Sequence, residues 1–279
     1  MDEVENDATL AAVAFGSEPG SWPLPAAATP YQRWLRAVAA GGQGRFASAR
    51  ADLAALLRDR PSGPLASLAY STHGSFLRQL GWHGLARRWD GRAVALAGSG
   101  SRLPGGDPEA LADALIGLAA DALGTGRFAA SAALLARSAQ LSEPVTAVPH
   151  RSAVRRAWVT AELAMVTGDG PSAVRHAERA VKLATALITD TGTGSARHRL
   201  KSDVVLAAAL CCAGSTDRAR AVADAALDSA GRLGLVPLRW ALACLLADVG
   251  SAVRTAQQVR EIRDDCAALV RCRGGDWRR

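Results

Sequence analysis

Apolar residues recur along this chain at three- and four-residue intervals, in long segments separated by short breaks that contain glycine. This spacing places the apolar side chains on one face of an α-helix. Short runs of alternating apolar and polar residues, which a half-buried strand requires, do not occur in the sequence. The pattern therefore predicts an all-α protein.

The breaks divide the chain after residue 30 into successive helix pairs. The predicted pairs are 31–42 with 46–59, 64–79 with 83–97, 108–123 with 128–142, 150–166 with 171–188, and 195–212 with 217–232. A sixth pair, 237–248 with 251–271, follows, and its second helix has an apolar stripe beside a strongly polar face. Such a polar face suits the terminal helices that shield the end of a helical array. Residues 236–272 are therefore predicted to form a C-terminal capping pair.

The first five pairs share one arrangement of glycine and small residues. The glycines at the breaks are Gly44, Gly81, Gly126, Gly168 and Gly214. A small residue stands seven positions before each glycine and another five positions after it, as Ala37 and Ala49 do around Gly44. Glycine adopts the left-handed conformation that ends a helix, and small residues let two helices approach closely.

This arrangement resembles the tetratricopeptide repeat, in which a glycine closes the first helix, an aromatic residue follows two positions later and small residues stand on both helices. Phe46 and Phe128 supply the aromatic residue, and Pro61 stands where the family has its closing proline. The resemblance covers residues 30–235, with glycines 37, 45, 42 and 46 residues apart against the family's 34. It implies an α-solenoid of about five to six antiparallel helix pairs whose first helices line a concave groove.

The two ends of the chain differ from the repeats. Residues 1–29 combine acidic residues with several prolines and show no sustained helical period, so we expect a flexible leader. Residues 273–279 are expected to form a short basic tail. The glycine-rich segment from Gly98 to Asp107 leaves two arrangements open, one continuous solenoid or two lobes.

Few of the residue patterns that carry chemistry are present. The histidines and cysteines lack metal-ligand spacing, and neither a nucleophile elbow nor a phosphate-binding loop after a strand occurs. We therefore expect no catalytic residue, no cofactor, no metal and no enzymatic activity. The five cysteines, an odd number, indicate free thiols in a reducing cytoplasm. No apolar stretch is long enough to cross a bilayer, so no membrane association is expected.

Basic residues in the later first helices are the candidate binding site. Arg151 with Arg155, and Arg197 with Lys201, are spaced four residues apart, so each pair shares one helix face. The tetratricopeptide resemblance implies that these faces line the groove. The full set of predicted partner-binding residues is Arg151, Arg155, Trp158, Arg197, Lys201 and Arg239.

Such a basic strip would bind an acidic peptide, a terminal carboxylate or phosphate groups through charge-assisted hydrogen bonds. Two other interpretations stay open: the cations form an ordinary solvated face, and Trp158 fills the core between repeats. Acidic residues on the third first helix, among them Asp113, predict a groove of mixed charge towards its N-terminal side.

The sequence thus predicts a cytoplasmic, non-catalytic scaffold or regulatory adaptor that binds another protein or an acidic peptide. The formal net charge of +7 supports an alternative, a nucleic-acid-associated regulator. A sensor of a peptide or small ligand is a further alternative.

Overall fold

The computed structural model describes residues 3–60, 62–99, 107–141, 151–187, 192 and 194–278. Within these residues the chain forms helices and no β-strand, which confirms the predicted all-α fold. The helices are α1 (Glu3–Phe15), α2 (Pro30–Gly42), α3 (Phe46–Asp59), α4 (Pro64–Gln79), α5 (His83–Ser99), α6 (Pro108–Gly124), α7 (Phe128–Gln140), α8 (Arg151–Val166), α9 (Gly170–Ala186), α10 (Ala196–Cys212), α11 (Thr216–Arg232), α12 (Val236–Val249) and α13 (Ala256–Cys272).

Helices α2 to α13 form an α-solenoid of six successive helix pairs, beginning with α2 and α3 and ending with α12 and α13. The first helix of each pair also packs against the first helix of the next pair. These first helices make an inner layer, and the second helices make an outer layer. Because α5 packs along α6, the array is continuous across residues 100–106, which lie outside the described part. Pro61, which stands where the tetratricopeptide family has its closing proline, also lies outside the described residues.

The shared glycines and small residues explain how the pairs pack. All five glycines are left-handed, with φ from 74° at Gly126 to 88° at Gly81. Every small residue five positions after a glycine is fully buried. These residues are Ala49, Ala86, Ser131, Ala173 and Ala219. The glycines end the first helices, and the small side chains bring the paired helix axes together, as the sequence predicted.

The array closes on itself through its C-terminal end. Val270 of α13 lies in the same apolar cluster as Phe46 of α3. The backbone N–H of Ala47 donates to the Arg273 carbonyl at 2.9 Å, and that of Arg278 donates to the Leu80 carbonyl at 2.9 Å. We call residues 273–278 the C-terminal clasp.

The predicted basic tail is therefore wrong for residues 273–278, because they pack rather than extend into solvent. Gly274 turns the chain with φ of 86° and lies against Ala47. Trp277 then packs against Trp240 of α12, with the ring centroids 4.0 Å apart and the ring planes tilted by 32°. Aromatic packing and backbone hydrogen bonds hold residues 273–278 against the array. The basic composition of the segment does not indicate this packing. Residue 279 lies outside the description.

The prediction of a flexible leader is wrong for Glu3–Phe15, which forms helix α1. Leu10, Val13 and Ala14 are buried and belong to the apolar cluster around α2 and α3. Helix α1 also reaches α10, where the Ala196 N–H donates to the Gly16 carbonyl at 3.0 Å. Three residues spaced i, i+3 and i+4 form only a narrow apolar stripe, which the surrounding alanines obscure in the sequence. The first pair and the fifth pair are thereby bridged.

A buried ion cluster joins the second and third pairs. Arg78 of α4 forms ion pairs with Asp90 of α5 and with Asp121 of α6, the latter at 3.2 Å. Both carboxylates are completely buried. Asp90 fits between the helices because Gly74 and Gly117 stand on either side of it. A Cβ atom at Gly117 would lie 2.2 Å from the Asp90 carboxylate, and one at Gly74 would lie 2.4 Å from it.

This close fit predicts opposite effects for two alanine substitutions. Gly117→Ala forces the buried Asp90 to move, and such overpacking costs about 1–3 kcal/mol of unfolding free energy. Gly91→Ala, on the exposed face of α5 where no atom would lie near the new methyl group, is expected to stabilise the helix by about 0.5–1 kcal/mol. Urea denaturation of both variants measures the difference, and equal midpoints would contradict the packing described here.

Candidate functional site

The inner layer of helices encloses a central cavity of about 350 Å³. Its walls come from the first helix of every pair, namely α2, α4, α6, α8, α10 and α12. The structure brings together five of the six residues that the sequence proposed for partner binding. These are Arg151, Arg155, Trp158, Arg197 and Lys201.

Arg239 does not join them. Its guanidinium packs over Gly231 of α11, 3.5 Å from the position of a Cβ atom there, while its neighbour Trp240 lines the central cavity. Arg239 is therefore not among the residues that line the cavity with the other five.

Asp113 of α6 neutralises part of the basic strip. Its carboxylate lies 2.9 Å from the Arg151 guanidinium and 2.5 Å from that of Arg155. Arg151 also contacts Glu109 at 2.9 Å. Burial alone would raise the pKa of Asp113, but the charges of Arg151 and Arg155 outweigh it and hold the pKa below its ordinary value. At the N-terminal side of the groove, where the sequence predicted mixed charge, the structure thus has a cluster of ion pairs between these carboxylates and arginines.

Arg197 has no such partner among the described residues. It takes part in none of their ion pairs, and its guanidinium donates one hydrogen bond, to the Val38 carbonyl at 3.2 Å. Burial, together with the like charges of Arg151 and Arg155, lowers the pKa of Arg197 to about 10. The charge of Asp113 opposes this lowering only in part, and Arg197 is still protonated at neutral pH, so it places a positive charge without an ion-pair partner at the cavity wall. Lys201, one turn further along α10, has a carboxylate partner, Glu162, at 3.4 Å.

Trp158 both packs and faces the cavity. Its indole Nε1 donates to the Ser202 hydroxyl at 2.8 Å, and its ring stacks on His198 with centroids 5.5 Å apart. Burial, followed by the charges of the neighbouring arginines, lowers the pKa of His198 far below its ordinary value, so this ring is neutral at pH 7. His198 is also within 2.7 Å of the Ser195 hydroxyl. Trp158 therefore packs against neighbouring side chains, as the core interpretation has it, and also lines the cavity, as the binding interpretation has it.

Phe15, at the end of α1, is a contact that the sequence analysis missed. The guanidinium of Arg151 lies 4.9 Å from the centre of its ring, and that of Arg197 lies 5.6 Å from it. These are cation–π distances. The residue ends the narrow apolar stripe of α1, and that stripe is the only sequence feature that could have placed it near the site.

Other chemistry finds no support in the part of the chain that the structure describes. No group of three or more His, Cys, Asp or Glu side chains there could hold a metal ion. All five cysteines are free, and burial raises the pKa of Cys244 and Cys266, which keeps these thiols protonated. Among the described helices, none has the length and apolar character needed to span a bilayer.

Comparisons with known proteins give a similar solved structure and no family. No family model matches the chain, and no curated protein matches it. A similar solved structure is the crystal structure of BtubC (BKLC) from P. vanneervenii, with 14% sequence identity and a TM-score of 0.47. The similarity covers 91% of this chain and 95% of BtubC.

Proposed function

We propose that this chain is a non-catalytic binding module of tetratricopeptide-like architecture that receives an acidic group of a partner in its central cavity. The observation that carries the proposal is Arg197, a cation in the cavity wall without a carboxylate partner among the described residues. A charge removed from water without a counter-ion destabilises a protein, so an anion that reaches Arg197 is bound favourably. Charge-assisted hydrogen bonds to a guanidinium are among the stronger ones in proteins.

The basic strip divides into two parts with different roles. Arg151 and Arg155 hold Asp113, so their removal would leave a buried carboxylate unpaired and would disturb the fold. Arg197 can be replaced without creating such an orphan. A single substitution there is therefore a sharper test than removal of the whole strip.

Arg197→Met is expected to weaken binding of acidic peptides at least tenfold, because a hydrogen bond to a charged group contributes about 1.5–3 kcal/mol. The measurement is fluorescence anisotropy with a labelled pool of short peptides that end in acidic residues and a free carboxylate. Arg137→Met, on the exposed side of α7, removes the same charge away from the cavity and serves as the control. Equal affinity of the two variants would reject the site.

Two further parts of the proposal follow from the thiols and the clasp. The five free cysteines suit a reducing compartment, so we place the protein in the cytoplasm. The net positive charge is the basis of the alternative, binding to nucleic acid, but Arg273 near the C-terminal end donates to the Gln43 carbonyl at 2.9 Å within the C-terminal clasp. A salt titration with random DNA tests that alternative, which predicts binding at low salt.

A further inference from the structure

The ion pairs around the central cavity indicate which charge a ligand needs. Four cationic side chains line the cavity, and three of them have carboxylate partners. The carboxylates are Asp113, which lines the cavity, and Glu109 and Glu162, which pair with Arg151 and Lys201. His198 is neutral at pH 7. Among these four cations, Arg197 is the one without a carboxylate at ion-pair distance in the described residues, so the pairing leaves one positive charge at the cavity wall without a direct counter-ion.

The closure of the array limits the size of the ligand. The C-terminal clasp joins the last pair to the first, and α1 bridges the first pair and the fifth, so the inner helices surround a partly open cavity rather than a long groove. The resulting volume of about 350 Å³ lies near the lower end of the range for small-molecule pockets, about 300–1,000 Å³. It suits one compact molecule better than a peptide extended along several repeats.

Three aromatic side chains stand among the polar and charged residues of the cavity wall. Phe76, Trp158 and Trp240 all line the cavity. Trp158 stacks on His198, which also lines the cavity, and Trp240 contacts Trp277 of the C-terminal clasp with the two rings tilted. Each tryptophan is thus held by a neighbouring ring, and flat apolar groups stack favourably on aromatic side chains.

We propose that the central cavity binds a small monoanion in which a single carboxylate, held by Arg197, is attached to a flat apolar body that packs against Trp158 and Trp240. This inference rests on the proposed function, since it specifies which acidic group the cavity receives. A planar carboxylate matches the fork of a guanidinium, which can donate two parallel hydrogen bonds to it. The doubly charged form of phosphate would bring one negative charge more than Arg197 leaves unpaired, and neither form of phosphate has a flat apolar body to pack against the tryptophans.

The test compares 2-naphthoate with 2-naphthamide by isothermal titration calorimetry on the full chain at pH 7. The two probes have the same ring system and nearly the same shape, and they differ in charge. We expect naphthoate to bind at a single site at least tenfold more tightly than naphthamide, and inorganic phosphate to bind more weakly than naphthoate. Equal binding of the two naphthalene probes, or tighter binding of phosphate, overturns the inference.

Variants locate the site within the chain. Arg197→Met should remove the preference for naphthoate over naphthamide, Arg197→Lys should retain part of it, and Arg137→Met should leave it unchanged. An unchanged preference in Arg197→Met overturns the assignment, and the comparison of probes on the unsubstituted chain stands even where a variant fails to fold. If acidic peptides bind and naphthoate does not, this inference fails while the proposed function survives. If neither binds, both fail.

Discussion

Arg78→Met is expected to lower the free energy of unfolding by about 3–5 kcal/mol, because it breaks a buried ion cluster by removing the cation. The two carboxylates that Arg78 pairs with, Asp90 and Asp121, are completely buried. Burial and the proximity of Asp90 already raise the pKa of Asp121 to about 7, against the opposing charge of Arg78. Without Arg78 both groups would have to take up protons or stay charged in an apolar interior. Urea denaturation at pH 8 measures the loss.

The pH dependence distinguishes this cause from simple loss of packing. A carboxyl group whose pKa is higher in the folded chain than in the unfolded chain binds more protons when folded. The free energy of unfolding then falls as pH rises between the two pKa values. The destabilisation of Arg78→Met should therefore be larger at pH 8 than at pH 5. A loss of the same size at both pH values would contradict an electrostatic origin.

Arg33→Met is the matched control for this prediction. Arg33 pairs with Asp59 between α2 and α3, but both side chains are partly exposed, at 27% and 51%. Ion pairs at such positions contribute about 0–1 kcal/mol. The same chemical change is thus expected to have a large effect at Arg78 and a small one at Arg33, and comparable losses would show that burial is not the deciding factor.

The sequence predicted the repeated core of this fold because that core depends on local rules. A glycine such as Gly168 can be recognised as a helix end from its spacing alone, and a small residue such as Ala173 can be recognised five positions later. Each rule involves residues that are near each other in the chain. The same locality placed Arg151 with Arg155 and Arg197 with Lys201 on common helix faces, where the structure has them.

The features that the sequence did not reveal depend on contacts between distant segments. The closing of the array by Val270 against Phe46, and the approach of Phe15 to Arg197, join residues far apart in the chain. Helical periodicity carries no information on which segments meet. The burial of Asp90 is similar, since it depends on gaps left by Gly117 on another helix. The charge of the cavity could therefore not be derived before Asp113 was located beside Arg151.

Trp277→Ala is expected to destabilise the chain by about 2–3 kcal/mol, somewhat less than for a fully buried tryptophan because the side chain is partly exposed. Trp277 packs against Trp240 with ring centroids 4.0 Å apart, and its indole Nε1 donates to the Ala267 carbonyl at 3.2 Å. Its loss should also loosen the whole C-terminal clasp, including the hydrogen bond from the Ala47 N–H to the Arg273 carbonyl. Thermal or urea denaturation measures the first effect.

Hydrogen exchange at Ala47 measures the second effect and tests whether the clasp closes the array. The Ala47 amide lies in α3, far from residue 277 in the chain, so if the two ends are joined its exchange in Trp277→Ala should rise by more than the measured loss of global stability accounts for. Phe128→Ala, which truncates a partly exposed aromatic ring on α7, should leave this exchange unchanged. Unchanged Ala47 exchange in both variants would mean that the ends of the array open independently of Trp277. Faster exchange of the Ala47 amide in Trp277→Ala alone would instead show that the stability of the first helix pair depends on Trp277, which contacts Trp240 in the cavity wall.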